Sequence, residues 1–547
     1  MKRMLSLVLV VVMLLSCGVI ANAEGEKILN VHLLNEVESL EIGLTTAGQS
    51  FDVIATTTEG LYGLDAAGAV IPAIATDYTF EETEEGYVYT FTLREDAYWS
   101  NGAQVTANDF VYAWIRGIDD VTRPDYTYAW IFETACIKNA SKILAHELPA
   151  SELGVEAVDD FTLKVVLENA CGYFINLMAF PMFYPINEEF AEAKGADYGK
   201  TSDDVLANGP FVLTDYTPAA LSFNVVKNDY YYDKDSVAID GIHFQVIKDN
   251  QSAMLAYEND ELDVVMLSGE LTELYMDSDE YLTVPSGYYW YISMNQKVTG
   301  LDNVNIRKAL THAIDKDTLC EFVLKDGSVG AYGATPTSLA GDPENGVDFR
   351  ECSGVYAEYD VAAAQEYWTA GLSELGVSEL TLELLTEDTE ESKMVGEFVQ
   401  QQLQENLPGL TVTLATTVKK DRLERMRREN GNYELGLTRW GPDYADPMTY
   451  FNIWATDGGH DGMSWENSKT NGYDELCGSC TSGELASKPV ERWNAMIELE
   501  KMIFDEAVIC PVYLKADAML VKSDVSGIEY HSAGCAPHIY RNVVIAD

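Results

Sequence analysis

The chain has 547 residues, 47% of them hydrophobic and 23% charged, and its 89 acidic against 35 basic side chains give a formal net charge of -54. That length exceeds one hydrophobic core and calls for two or three lobes, and the composition excludes a disordered chain. So negative a surface repels phosphate backbones and excludes nucleic acid as a partner, although net charge argues for solubility before any particular site.

Met1-Lys2-Arg3 is a basic start, and residues 4–15 form an uncharged apolar run. The run is too short to span a bilayer as a mature helix and has the length of a signal sequence. It ends in Leu14-Leu15-Ser16-Cys17-Gly18, a lipobox-like pattern. This predicts a signal peptide over 1–16, lipidation of Cys17 and a tether over 17–26. The rival is cleavage after Ala21-Asn22-Ala23, an A-x-A site. No later run approaches 18 apolar residues, so the remainder is expected to be exported and free of membrane spans.

A buried first strand is expected over 27–34, a helix over 50–58 and an extended, glycine-flanked segment over 59–64. A half-exposed strand over 87–94 follows, then a turn over 97–102. Thr106 and Asp109 make a capping-box-like start, with Asp in the acidic place. They open an amphipathic helix with Phe110, Ala113, Trp114 and Gly117 on one face. Strands follow at 161–167 and 262–266, with a hairpin between them from 208–213 and 221–227. Residues 288–295 lead into a helix over 304–314 whose inward residues are Ile306, Leu310, Ala313 and Ile314. A βα section follows, with strands at 380–385 and 412–417 and a helix over 392–406. The last third adds a helix over 492–506 and a strand over 508–514. No repeat of fixed period is visible.

Nine cysteines less Cys17 leave eight, an even number that permits disulfides without fixing their pairing. Cys477-Gly478-Ser479-Cys480 has thioredoxin-like spacing, but it lies in a helical pattern with no strand before it. A local disulfide or two free thiols are the readings. The seven histidines are scattered without ligand spacing, so neither a metal nor a cofactor is expected.

The most informative stretch is Arg439-Trp440-Gly441-Pro442-Asp443-Tyr444-Ala445-Asp446-Pro447. It follows the alternating run 433–437, a strand, and ends in two turns. A strand that ends in an aromatic and a carboxylate presents both at the rim of a sheet, where open α/β folds bind ligands. An aromatic wall beside one fixed negative charge suits a ligand with an apolar body and a cationic head. A turn with a capping Asp is the plainer alternative.

Five landmarks in register carry a resemblance. They are the Phe91-Thr92-Leu93-Arg94 to Arg116 block with Trp99-Ser100-Asn101-Gly102, then Asn208-Gly209-Pro210-Phe211 and the Asn305-Ile306-Arg307-Lys308-Ala309-Leu310 helix. The Trp440 stretch and the closing His538-Ile539-Tyr540-Arg541-Asn542 complete them. In this order the chain resembles the solute-binding subunits of ABC importers for oligopeptides, bacterial extracellular solute-binding protein family 5.

The resemblance implies an α/β, periplasmic-binding-protein-like type II clamshell. Lobe I would take 24–71, 201–285 and 515–547, an inserted domain 72–200, and lobe II 286–514. It implies a monomer without enzymatic activity that captures short peptides for ABC transporter permease subunits and is held to the membrane by its N-terminal lipid. The peptide's backbone would pair with Glu59-Gly60-Leu61 and Arg439-Trp440-Gly441, as in strand addition. Asp443 would meet the α-ammonium, while Tyr112 and Tyr513 would line the cleft; Glu59 itself reads as a solvated edge charge. In the oligopeptide branch a disulfide can join a Cys just after the Trp to a partner; here the first place is Gly441, and the place where the partner would fall, near Ser286, also lacks Cys. Arg439 stands where Gly is usual, and Leu437 where that branch has Arg. Two other classes remain: a surface peptide sensor of the same fold, and a secreted peptide-processing enzyme, for which no Gly-x-Ser-x-Gly, zincin or P-loop motif speaks.

Overall fold

The computed structural model describes residues 25–546, apart from 46, 67, 428–429, 457–464 and 535. The first strand, Ile28–Leu33, lies between Gly241–Val246 and Val264–Leu267 and is parallel to both. Parallel strands are covered on both faces, and Leu29, Val31 and Leu33 are buried. The expected hairpin is present as Phe211–Thr214 and Ser222–Lys227, which extends this half of the sheet outward. In the other half, Leu380–Glu387 lies between Leu410–Thr417 and Leu435–Trp440, again parallel to both.

Two long strands, Tyr281–Met294 and Ile509–Val521, pair antiparallel and join the halves into one 11-stranded sheet. Their pairing loses register between Pro285 and Tyr289, as a β-bulge requires. Within that break Gly287 has a φ of +79°, and a Cβ there would lie 1.9 Å from the Ser532 carbonyl oxygen. Only glycine meets both demands. Gly287→Ala is expected to cost about 1–3 kcal/mol, read as a lower urea midpoint at unchanged slope. An unchanged midpoint would mean that the segment around Ser532 moves aside freely.

A separate four-stranded sheet is built from Ala75–Thr83, Gly86–Leu93, Thr162–Leu167 and Val155–Asp159, in that order. The helix Ala107–Ile118 belongs to this unit. At its start the Asp109 carboxylate accepts the Thr106 N–H at 2.7 Å, and Phe110, Ala113, Trp114 and Gly117 are all buried.

The helix Val361–Leu375 was not read in the sequence, although both its signals are there. Asp360 accepts the Ala363 N–H at 3.0 Å, and Gly376 ends the helix with a φ of +70°. Cys477 and Cys480 sit in the helix Tyr473–Thr481 as free thiols, the second of the two readings. The other described cysteines are free as well. Cys17, with its lipidation, lies outside the described residues. Among the described residues no helix is long and apolar enough to cross a membrane, and no cluster of residues is arranged to hold a metal ion.

Candidate functional site

The strand Leu435–Trp440 carries the informative stretch to the rim of the sheet. Its register sets Arg439 opposite Trp290 and Trp440 opposite Tyr289. The Arg439 guanidinium therefore lies 4.7 Å from the centre of the Trp290 ring and 5.8 Å from that of Tyr288, within cation–π range. At Gly441 a Cβ would stand 2.9 Å from the Tyr288 ring, so the backbone passes closely beneath that aromatic.

The turn that follows is clamped from two sides. Asp446 accepts two bonds from Arg492, at 2.7 and 2.8 Å, and caps the Met448 N–H at 2.9 Å. Sequence reading gave Asp446 only the turn. Tyr173, from the four-stranded unit, stacks on Tyr444 with ring centres 4.2 Å apart, and Asn176 donates to the Ala445 carbonyl at 2.9 Å. Asp443 thus projects from a loop whose next three residues are fixed before any ligand arrives, which favours recognition at low entropic cost.

Between the two halves of the large sheet lies a cleft of about 490 Å³, within the range of small-ligand pockets. Arg439, Trp440, Gly441 and Asp443 all line it. Asp443 is 8% exposed, and burial pushes its carboxyl up to about 7. On the facing half Asp52 accepts the His538 backbone N–H at 2.9 Å and lies 2.8 Å from its Nδ1. Burial works against a charged His538, but the Asp52 carboxylate more than offsets it and the pKa is raised. The pair therefore leaves little net charge on that wall.

Other expected residues lie elsewhere. Glu59 is not the solvated edge charge that was expected: its carboxylate is buried and accepts the hydroxyls of Tyr231 at 2.7 Å and Tyr232 at 2.9 Å. Its backbone N–H and carbonyl are both bonded to the Asn208 side chain, at 2.9 and 3.0 Å. The carbonyl of Gly60 accepts from Ile74, and that of Leu61 from Ala73 and Ala75. The carbonyls of this segment are thus taken by the chain itself. Glu59 and Gly60 line a smaller cavity of about 40 Å³, which meets the cleft along His531 and Tyr540.

Tyr112 lines neither cavity and donates to Glu192 at 2.7 Å. Tyr513 is fully buried, stacked on Trp290 at 5.5 Å and donating to Glu391 at 2.8 Å. Each of these two tyrosines, expected as cleft walls, thus donates its hydroxyl to a nearby glutamate and is absent from the lining of the cleft. Sequence reading missed Asp52, His538, Lys419 and Arg422 as lining residues. The basic run Lys419-Lys420-Asp421-Arg422 in so acidic a chain was the signal available.

Comparison with known proteins places this geometry. The model of the bacterial extracellular solute-binding proteins, family 5 Middle, matches residues 69–462. A dipeptide-binding protein of Lactococcus lactis subsp. cremoris is 30% identical over 541 residues, covering 96% of this chain and 95% of its own. The solved structure of Listeria monocytogenes OppA bound to peptide superposes with a TM-score of 0.75 at 37% identity, covering 96% of this chain and 100% of that one. That of the pheromone receptor PrgZ, solved for its mode of peptide binding, gives 0.76 at 30% identity, with 95% and 100% coverage.

Proposed function

Because the chain belongs to family 5 of the bacterial extracellular solute-binding proteins, we propose that it captures short peptides in the cleft and delivers them to the permease of an ABC transporter. Asp443 carries this reading: a buried carboxylate beside Trp440, held on a pre-fixed turn, is the natural partner of a peptide's α-ammonium. Arg439, Trp440 and Gly441 would flank the peptide backbone. The segment 59–61, with its carbonyls engaged, would act through the shape of the adjoining cavity. No bond is made or broken in this reading; the work is conformational.

The lobes would be 24–71, 201–285 and 515–547 against 286–514, with 72–200 inserted, so that the bulge at Gly287 marks the hinge. Closure would bury the ligand and create the surface that the permease reads. Lipidation at Cys17 would keep the protein at the outer face of the cell membrane, and Cys17→Ala would release it.

Calorimetry against short peptides, free amino acids and sugars, paired with small-angle scattering, tests the reading. Peptide alone should bind, reduce the radius of gyration and raise the melting temperature. A bound peptide that leaves the scattering profile unchanged would contradict the clamshell.

The raised pKa of Asp443 sets a pH dependence. Its native value of about 7 stands above the ordinary aspartate value near 4. Ionising it therefore costs native stability that accumulates from about pH 4 to about 7, and a cationic ligand recovers that cost. Affinity should rise as pH climbs through about 7, then fall as the peptide's own amino group deprotonates near 8. Asp443→Asn should abolish the acid limb and, because the ammonium then has no charge partner, flatten most of the alkaline limb as well. A native profile flat between pH 5 and 7 would remove Asp443 from the site.

The likeness to a pheromone receptor favours one second reading, in which the same cleft serves a surface sensor. Peptide uptake by cells that depends on this protein and on a permease separates transport from sensing.

A further inference from the structure

At one end of the cleft, a protein of net charge -54 gathers cations. The helix Lys419–Met426 presents Lys419 and Arg422 there, and the strand Leu435–Trp440 presents Arg439 beside them. Glu387, which ends its strand between them, is the carboxylate that the two arginines share. It accepts Arg422 Nε at 3.1 Å and Nη2 at 2.9 Å, and Arg439 Nη1 at 3.1 Å on both oxygens.

The three cations are not equally engaged. Arg422 is 1% exposed, and its remaining Nη1 donates to Thr438 Oγ1 at 2.6 Å, so it is spent on the fold. The Arg439 side chain keeps 22% of its surface, and its Nε and Nη2 make no hydrogen bond among the described residues. Lys419 reaches the surface and makes no ion pair among the described residues. Partial burial of the Lys419 ammonium and then the neighbouring Arg439 depress its pKa, with Glu387 and Glu38 opposing. Of the carboxylates that line the cleft besides Asp443, Asp52 is bonded to His538 and Asp517 is held up by burial, with Lys515 and His538 as its cationic neighbours. Arg422 and Arg439 therefore share one carboxylate, and Lys419 stands beside them without an ion pair among the described residues.

Reach decides what such a wall can meet. Asp443 is four residues from Arg439, so at most about 14 Å of chain separates them. An extended peptide advances about 3.3 Å per residue. With its ammonium on Asp443, the side chains of its first few residues pass the cationic wall. Arg439 is already oriented by Trp290 and Glu387, so little side-chain freedom is lost when it takes a second carboxylate, and its free Nε and Nη2 form a two-pronged donor.

We propose that Arg439 and Lys419 form a carboxylate-binding subsite that selects peptides with an acidic side chain near their amino terminus; this rests on the peptide reading above. The preference weakens with added salt, because Lys419 lies at the surface.

The test is calorimetry with tetrapeptides that carry Glu or its isostere Gln at each of the first three positions, each with a free and an amidated carboxyl terminus. At one position Glu should bind roughly tenfold or more tighter than Gln, whether or not the terminus is amidated. Arg439→Gln and Lys419→Gln should each bring that ratio toward one. The ratio is taken within one variant, so a general loss of stability does not imitate it. A ratio of one at every position overturns the subsite while leaving peptide capture standing. A preference that vanishes on amidation also overturns it, because the terminal carboxylate would then occupy the wall. Failure of every tetrapeptide to bind would overturn the peptide reading and the subsite with it.

Discussion

Replacing Asp443 by Asn lowers the affinity for a peptide with a free amino terminus by about 2–5 kcal/mol, the cost of leaving one buried charge without its partner. Asparagine keeps the shape of the side chain, and the Asp443 N–H keeps its bond to Thr449 Oγ1 at 3.2 Å, so the turn is retained and the charge alone is lost. N-acetylating the peptide should cost the native protein a comparable amount. The two losses should be strongly non-additive, because each removes one member of the same pair. Additive losses would place the ammonium elsewhere and leave Asp443 as a turn residue.

Arg492→Met should cost about 3–5 kcal/mol of folding stability, the range for removing one partner of a buried pair. Asp446 is 8% exposed and Arg492 5%, so the stranded carboxylate has little access to water. Arg492 also donates to the Cys480 carbonyl at 2.8 Å and lies 5.6 Å from the centre of the Tyr173 ring. Its loss therefore loosens the helix Tyr473–Thr481 and the approach of the four-stranded unit together. Peptide affinity should fall as well, because the turn that projects Asp443 is no longer fixed. Adding Asp446→Asn should restore part of the stability by removing the stranded charge. A change below about 1 kcal/mol in chemical denaturation would show that the pair is solvated in practice.

What was legible in the sequence was what is local. Alternation over 433–437 located the strand Leu435–Trp440, the strand expected over 380–385 is present as Leu380–Glu387, and the Thr106 to Asp109 spacing located the start of Ala107–Ile118. The Trp440 to Asp443 stretch was read as a rim site because strand end, aromatic and carboxylate are neighbours in the chain, and the structure sets them together in the cleft.

What was not legible depends on partners far away in the chain. The surroundings of Glu59 are set by Asn208, Tyr231 and Tyr232, which lie 149, 172 and 173 residues further on. Nothing in Glu59-Gly60-Leu61 reports them, so a buried, fully bonded carboxylate read as a surface one. Tyr513 was named by resemblance alone, and its surroundings too are set by distant residues, Trp290 and Glu391. Arg439 was visible as a departure from the family pattern, but its meaning rests on Glu387 and Arg422, which only the sheet and the helix Lys419–Met426 bring beside it.

The central claim is that the cleft holds a peptide by its free amino terminus. Mass spectrometry of the ligand released by denaturing the protein, purified without added ligand from the cells that make it, tests this most directly. The account predicts short peptides of mixed sequence, all with unblocked α-amino groups and absent from an Asp443→Asn preparation. A non-peptide ligand, or peptides blocked at the amino terminus, would contradict it.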